Sequence, residues 1–182
     1  MKTGRVLPFL FLALGMPLTV GQPAASKVPT SAAEQRSFSA EDASLERPIA
    51  LPQAILRILA RDSEVQERLQ SDNLSPEGLP PAWFLASEVH LNGGNEGDVV
   101  VLGRAYLRGA NTIPFWVFRP GAAGFQRVFH AIAHDIIIKD ARSRGYSDIE
   151  AVIVFVDRVT TDLYRFDGST YKRARSRTTK SK

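Results

Sequence analysis

The stretch GDVVVLGRAYLRGANTIPFWVFRPGAAGFQRVFHAI, residues 97–132, decides the fold of this 182-residue chain. Its short runs of β-branched and aromatic residues, separated by Gly, Asn and Pro, are typical of strands joined by turns. Similar patterns occupy residues 83–91 and 135–171, and the tight-turn sequence FDGS at 166–169 predicts a closing hairpin. The connections are too short for crossover helices, so successive strands should be antiparallel neighbours.

Residues 48–72, which precede the strands, have the periodicity of a helix. Apolar side chains recur there at steps of three and four residues, which is typical of an amphipathic helix or a pair of short ones. Proline and glycine within residues 75–81 then end the pattern. We therefore predict an α+β fold, in which an N-terminal amphipathic helix or helix pair packs on an antiparallel β-meander of about six to seven strands. The apolar positions are Ile55, Leu56, Ile58, Leu59, Val65 and Leu69.

The first 21 residues have the layout of a secretory signal peptide. Lys2 and Arg5 precede an apolar run over residues 6–20, and small residues follow it. The run is shorter than the about 20 residues of a membrane span and contains two prolines. We therefore expect an exported protein, periplasmic or extracellular, with no transmembrane segment in the mature chain. The chain contains no cysteine, so neither a disulfide framework nor a thiolate site is expected.

Composition divides the rest of the chain into three parts. Residues 22–47 are predicted to be a flexible spacer because they contain few large apolar side chains. Residues 48–175 form a single predicted domain, and residues 176–182 a basic disordered tail. Two of the 23 basic residues lie in the signal and six follow residue 171, which leaves 15 against 19 acidic residues in the body. Free solvation is the expected state of the basic end and contact with an anionic surface is the alternative; without an aromatic residue for base stacking, nucleic acid is not an expected partner.

Aromatic and arginine side chains concentrate around the apolar strand 113–118. Side-chain alternation puts Phe115 and Val117 on one face of this strand and Trp116 and Phe118 on the other. If the helices cover one face only, the other exposes the residue types that dominate protein interfaces. If both faces are covered, these residues belong to the core. The predicted binding residues are Arg104, Tyr106, Arg108, Asn111, Trp116, Phe118 and Arg119.

The motif FHAIAHD offers a catalytic interpretation. His130 and His134 are four residues apart, a spacing that on a helix puts both imidazoles on one face, where they can bind one zinc ion. The segment has the pattern of a strand, however, on which the rings would lie about 13 Å apart at roughly 3.3 Å per residue. That separation is too large for one ion, so no metal is expected, and a site made of His130, His134 and Asp135 is kept as the alternative.

The loop HLNGGNEGDVVVLG, residues 90–103, resembles in outline the calcium loop of FG-GAP-type repeats. Asn92 and Asp98 fit that outline, but His90 and Gly94 stand where two carboxylates are needed. Calcium affinity follows the number of charged oxygen ligands, so the loop is predicted to be a polar β-turn. The chain has no phosphate-binding loop and no nucleophile elbow, and no cofactor is expected.

Three strings, GANTIPFWVFRPGAAGFQRVF, SRGYSDIEA and YRFDGSTYKRA, resemble a domain of small exported bacterial proteins that has no assigned activity. In that domain a G-A-N-x-x-P-F-W-x-F strand is followed by a G-Y-x-D-I segment and a closing Y-x-F-D-G-x-x-Y hairpin. The resemblance covers residues 83–174 and implies export and the β-meander, but no reaction. Its members often carry cysteines near the G-A-N element, which this chain lacks. The residues in register are Gly109, Asn111, Phe115, Trp116, Gly145, Tyr146, Asp148, Phe166, Asp167, Gly168 and Tyr171.

Two hypotheses of different class follow. The first is an exported, non-catalytic module of the envelope or the cell exterior, which binds an unidentified macromolecule through the exposed side of its sheet. The alternative is a hydrolase or metal-dependent enzyme that uses His130, His134 and Asp135. A cleft joining those three side chains would favour the enzyme, whereas an exposed aromatic and arginine face would favour the binding module.

Overall fold

Residues 34–180 are described by a computed structural model of the chain. The predicted signal peptide, residues 1–21, and the first part of the predicted spacer lie outside the described residues. Within residues 34–180 the chain forms two short α-helices and nine antiparallel strands. None of the helices in this part of the chain is long and apolar enough to cross a membrane.

Two sheets contain the nine strands. The helices are α1 (Gln53–Leu59) and α2 (Ser63–Ser71). The strands are β1 (Ser37–Ser39), β2 (Phe84–Val89), β3 (Asp98–Gly103), β4 (Ile113–Gly121), β5 (Gly124–Ala133), β6 (Asp135–Ser143), β7 (Tyr146–Val154), β8 (Arg158–Phe166) and β9 (Tyr171–Lys180). The first sheet has the order β1-β6-β7-β8-β9 and the second the order β2-β3-β4-β5. Single 3-10 turns lie at Pro76–Gly78, Pro81–Trp83 and Ala105–Leu107.

The helices and the two sheets form three layers with two apolar cores between them. One core lies between the sheets and contains Phe115 and Val117 from the second sheet and Ile149 from the first. The other lies between the helices and the second sheet, where Leu59 packs in the same cluster as Trp116. The second sheet is therefore covered on both faces, which explains why its strands read as nearly unbroken apolar runs.

The α+β class, the helix pair and the antiparallel meander are confirmed, but nine strands in two sheets replace the six to seven strands expected in one sheet. The chain leaves the second sheet at the end of β5 and enters the first at β6, with only His134 between them. The buried positions change here from odd-numbered residues, such as Ala131 and Ala133, to even-numbered ones, Ile136 and Ile138. Ile132 and Ile137 are apolar although they lie on the other side of their strands, so the sequence pattern does not show that the strands change sheet.

The fold extends beyond the predicted domain boundaries at both ends. β1 lies within residues 22–47, the predicted spacer; its Phe38 is fully buried and pairs with Ile136 of β6. The buried Phe38 ring stabilises this edge strand although the surrounding composition is polar, and the Arg36 side chain and the Ala40 N–H donate to backbone carbonyls of Lys139 and His134. At the other end, β9 continues to Lys180, so residues 176–180 form a strand and not the predicted tail.

Candidate functional site

Trp116 and Phe118, two of the predicted binding residues, are fully buried. Both belong to the core between the helices and the second sheet. The prediction that they form an exposed binding face is wrong, because the helices cover the side of β4 on which they lie. A ligand cannot reach Trp116 without displacing this layer.

The other predicted binding residues lie nearer the surface. Tyr106, Arg108 and Asn111 are exposed, and Arg104 and Arg119 are half-buried. Three of these five side chains form hydrogen bonds with distant parts of the chain. Arg104 donates to the Asp42 carbonyl, Arg108 donates to the Glu41 carboxylate, and Asn111 donates to the Val154 carbonyl. Arg119 lies over the Phe166 ring, 5.4 Å from its centroid.

A cleft of about 430 Å³ opens beside Tyr106, between α2 and the end of β5. Tyr106 packs on Trp83, with 5.6 Å between ring centroids, and the Arg68 guanidinium lies 4.8 Å from the Tyr106 centroid. The cleft also exposes nearly half of Ile132. Ala105, next to Tyr106, has a φ of +47°, a left-handed conformation that is strained for a residue with a Cβ atom. The backbone therefore holds this rim in a defined position.

The histidines occupy two separate environments. His130 lies on β5 and stacks on Trp116, with 5.6 Å between ring centroids and 18° between ring planes. His134 lies in the corner between the sheets, where its Nδ1 is 2.9 Å from Asp135 Oδ1. The groups that converge on His130 are Asp62 and Glu64, whose ligand atoms and that of His130 all lie within 4.8 Å of one another. Within residues 34–180, this is the only such group of three, and the alternative set of His130, His134 and Asp135 is not brought together.

Asp62 and Glu64 were missed by the sequence analysis, although Asp62 stands just before α2. Its carboxylate caps the helix by accepting from the Glu64 backbone N–H at 3.2 Å. It also accepts from Trp116 Nε1 at 3.1 Å and from the Arg127 guanidinium. The helix cap was detectable from its spacing, but the bonds to β4 and β5 join residues far apart in sequence.

The charges of this cluster depend on one another. Burial opposes ionisation of Asp62, but hydrogen bonds with Glu64 and Trp116 and the charges of His130 and Arg127 hold its pKa below the ordinary value. The pKa of Glu64 is raised by its hydrogen bond with Asp62 and by burial. Burial lowers the pKa of His130, and the charge of Arg127 lowers it further against the opposing effect of Asp62. The neutral form of His130 is therefore favoured.

A cleft of about 620 Å³ gives access to the cluster, lined also by Ile58, Arg61 and Ser63. His130 Nε2 is buried and has no hydrogen-bond partner among the described residues. Two carboxyl groups and an imidazole can hold a divalent cation. Asp62, however, is already bonded to a guanidinium and an indole N–H, which a cation would have to displace or share. The arrangement is that of a buried carboxylate neutralised by neighbouring donors.

The loop that resembles a calcium site uses its oxygens internally. Asn92 Oδ1 accepts from the Gly94 N–H at 2.8 Å, and Asp98 Oδ2 accepts from the Leu91 N–H at 3.2 Å. Asp98 is almost fully buried, and burial raises its pKa to about 6. These bonds are those of a polar turn that leads into β3.

The most strongly charged surface is the hairpin β8–β9. β9 lies at the edge of the first sheet, and each of its residues from Lys172 to Lys180 is exposed. A register shift between Leu163 and Tyr164 adds one residue to β9 and brings Lys172 and Arg175 to the same side of the sheet. With Arg165 and Arg177 they form a basic outer face that points away from the core. The five cations of β9 are Lys172, Arg173, Arg175, Arg177 and Lys180, and the strand has no acidic residue.

Few of these cations are neutralised. Arg173 lies 3.2 Å from Asp162, and Arg165 lies 3.5 Å from Asp148. Lys172, Arg175, Arg177 and Lys180 form no ion pair with any residue in the described range. The predicted contact between the basic end of the chain and an anionic surface thus concerns a strand with fixed register.

Comparisons of the chain with family models, with curated proteins and with solved structures find no match.

Proposed function

We propose that this chain is an exported, non-catalytic binding module that attaches to an anionic surface of the cell envelope through the hairpin β8–β9. The observation that carries the proposal is the edge strand β9, exposed from Lys172 to Lys180, with five cations and no acidic residue. Over residues 157–180 the hairpin has seven basic against three acidic residues, whereas the body before residue 172 is acidic. The positive charge is therefore concentrated on one element.

The edge position supports binding to a surface. A long edge strand with free N–H and C=O groups invites pairing with another chain, and charged side chains, lysine above all, oppose such pairing. In β9 the cations keep the edge unpaired and at the same time remain available to a ligand of opposite charge. A repeated anionic group, such as a phosphate, can meet several of them because alternate residues of a strand lie about 7 Å apart.

The two clefts support a binding role less directly. The ionisable groups of the cleft beside His130 are engaged in capping α2 and in bonding Trp116. The cleft beside Tyr106 keeps two residues of the predicted binding surface exposed, Tyr106 and Arg108. It is a second surface for a protein partner, and the variant Tyr106→Ser with Arg108→Gln tests it by capture from envelope extract.

The test of the proposed function compares two triple variants of the full chain. Lys172→Gln, Arg175→Gln and Arg177→Gln remove three cations of β9; Arg47→Gln, Arg57→Gln and Arg61→Gln remove three exposed cations elsewhere. The probes are immobilised polyphosphate and vesicles of phosphatidylcholine with phosphatidylglycerol. Each cation near an anionic lipid surface contributes about 1 kcal/mol, so we expect the first variant to lose on the order of 100-fold in vesicle affinity. The second should bind as the wild type does.

Salt supplies an independent measurement. Attraction between exposed charges is screened over about 8 Å at physiological ionic strength, so wild-type binding should weaken steadily as salt is added. Failure of the wild type to bind either probe, or equal binding by both triple variants, would reject the hairpin as the binding element. Export is tested separately, by fractionation of cells and by mass spectrometry of the mature N-terminus.

A further inference from the structure

We infer that the anionic surface bound by the hairpin is a lipid bilayer, and that the turn between β7 and β8 inserts Phe155 and Val156 into it. This inference rests on the proposed function, since it assigns the partner of the same basic hairpin. It adds a second contact, of apolar character, at the end of the hairpin.

The turn exposes apolar side chains to an unusual degree. Val156 is completely exposed and Phe155 is 42% exposed. Leaving a valine and a phenylalanine in water forgoes the free energy of burying them. Among the described residues only five large apolar side chains are exposed, and these two are adjacent: Leu74, Tyr106, Ile132, Phe155 and Val156.

Two hydrogen bonds hold the backbone of the turn. The Phe155 N–H donates to the Arg158 carbonyl at 2.8 Å and closes the turn, and Asn111 Nδ2 donates to the carbonyl of Val154, the last residue of β7. These bonds hold the backbone that carries the two apolar side chains in a defined position. A preformed apolar tip loses little conformational entropy when it is buried.

Two cations lie beside the tip. The Arg158 guanidinium lies over the Phe155 ring, 4.5 Å from its centroid, and Lys180 is the cross-strand partner of Arg158. Arg177 of the basic outer face lies opposite Thr161, three pairs further along the same hairpin. One acidic residue, Asp157, is present in the turn and lies 3.4 Å from Arg158.

A bilayer is the partner that fits both features. A soluble polyanion attracts the cations but offers nothing to the apolar tip, whereas an anionic bilayer presents charged headgroups above hydrocarbon. Apolar side chains enter the boundary of the acyl chains while lysine and arginine remain at the headgroups. A second copy of the chain is a poorer occupant, since antiparallel pairing of two β9 strands would place arginines opposite arginines.

The experiment uses the full chain and separates the tip from the charge. The tip variant is Phe155→Ser with Val156→Ser, which leaves the charge unchanged. Its control is Leu74→Ser, which removes another exposed apolar side chain. Each is tested on phosphatidylcholine vesicles with and without phosphatidylglycerol, and on immobilised polyphosphate.

We expect the tip variant to lose about tenfold in affinity for the anionic vesicles, equivalent to about 1.4 kcal/mol, and to bind polyphosphate as the wild type does. Circular dichroism identical to that of the wild type shows that the variant is folded. The control should bind both probes normally. A Val156→Trp reporter should shift its emission to the blue with anionic vesicles, against the buried background of Trp83 and Trp116.

Three outcomes would overturn the bilayer assignment. These are wild-type affinity of the tip variant for vesicles, binding of the wild type to polyphosphate alone, and a dimer in solution that buries β9. In the second case the proposed function survives with a polymer as its ligand. Loss of the proposed function itself would appear differently, as failure of the wild type on both probes.

Discussion

Trp116 Nε1 donates a hydrogen bond of 3.1 Å to the carboxylate of Asp62. This bond joins the middle of β4 to the residue that caps the N-terminus of α2, and the same carboxylate also accepts from Arg127 on β5. Asp62 is 6% exposed and Trp116 is fully buried. The helix layer is therefore fixed to the second sheet by one buried acceptor that serves three donors.

Replacement of Asp62 should destabilise the fold strongly. Asp62→Ala removes the cap of α2 and leaves the Trp116 N–H and the Arg127 charge without their acceptor, for which we expect a loss of about 3–5 kcal/mol in the free energy of unfolding. Urea denaturation measures it. Asp140→Ala is the control: that side chain is 97% exposed, and its ion pair with Arg36 should contribute less than about 1 kcal/mol. Equal losses in the two variants would contradict the role given to Asp62.

Burial of Asp98 should make stability depend on pH. Its pKa is raised from 3.8 to about 6 in the folded protein, so the unfolded chain ionises first as the pH rises. The favourable contribution of the protonated form is complete below about pH 4 and is lost as the pH passes 6. One pKa unit corresponds to about 1.4 kcal/mol, so the loss is on the order of 3 kcal/mol.

The variant Asp98→Asn isolates this effect, because an amide oxygen can still accept from the Leu91 N–H. We expect the variant and the wild type to be equally stable near pH 4 and the variant to be the more stable at pH 7. Denaturation curves across this pH range provide the measurement, with Asp140→Asn as the exposed control. Parallel pH profiles of the wild type and the Asp98 variant would show that the carboxyl group ionises normally.

Phe38 should be essential to the fold, although it lies in a polar segment. Phe38→Ala removes a fully buried ring from the core between the sheets, and we expect it to cost about 3–5 kcal/mol. Phe155→Ala, at the exposed turn, should cost well under about 1 kcal/mol. Thermal denaturation of both variants compares the same chemical change at a buried and an exposed site. A stable protein that begins at residue 48 would contradict the role of β1.

Zinc titration tests the enzyme alternative. A cation bound between α2 and β5 would have Asp62, Glu64 and His130 as ligands, and it would have to compete with Arg127 for Asp62. We expect binding far weaker than that of structural zinc sites, which have free energies of about 10–16 kcal/mol. Calorimetry should show this residual binding lost in His130→Ala and retained in His134→Ala. Stoichiometric zinc that is lost in the His134 variant would favour the alternative set of His130, His134 and Asp135.

Local patterns were sufficient for the elements and for the charge. The three-to-four-residue rhythm of residues 48–72 predicted the helices, and turn residues between short apolar runs predicted antiparallel hairpins, including the one that closes at Phe166–Tyr171. These features depend on neighbours in the chain, which the sequence displays directly. The basic end was equally visible. The continuation of its strand through residues 176–180 was not, because the exposed side chains there show no apolar alternation.

Tertiary structure alone decided what covers each face. Alternation placed Trp116 and Phe118 on one side of β4, but only the packing of the helices shows that this side is buried. The same holds for Asp62 and His130, which lie 68 positions apart and come into contact only through the folding of α2 onto β5. Periodicity specifies the side of an element on which a residue lies; the partner on that side depends on contacts between distant segments. Contacts between distant segments also decide three other features: the burial of Phe38, the division into two sheets and the exposure of the apolar turn at Val156.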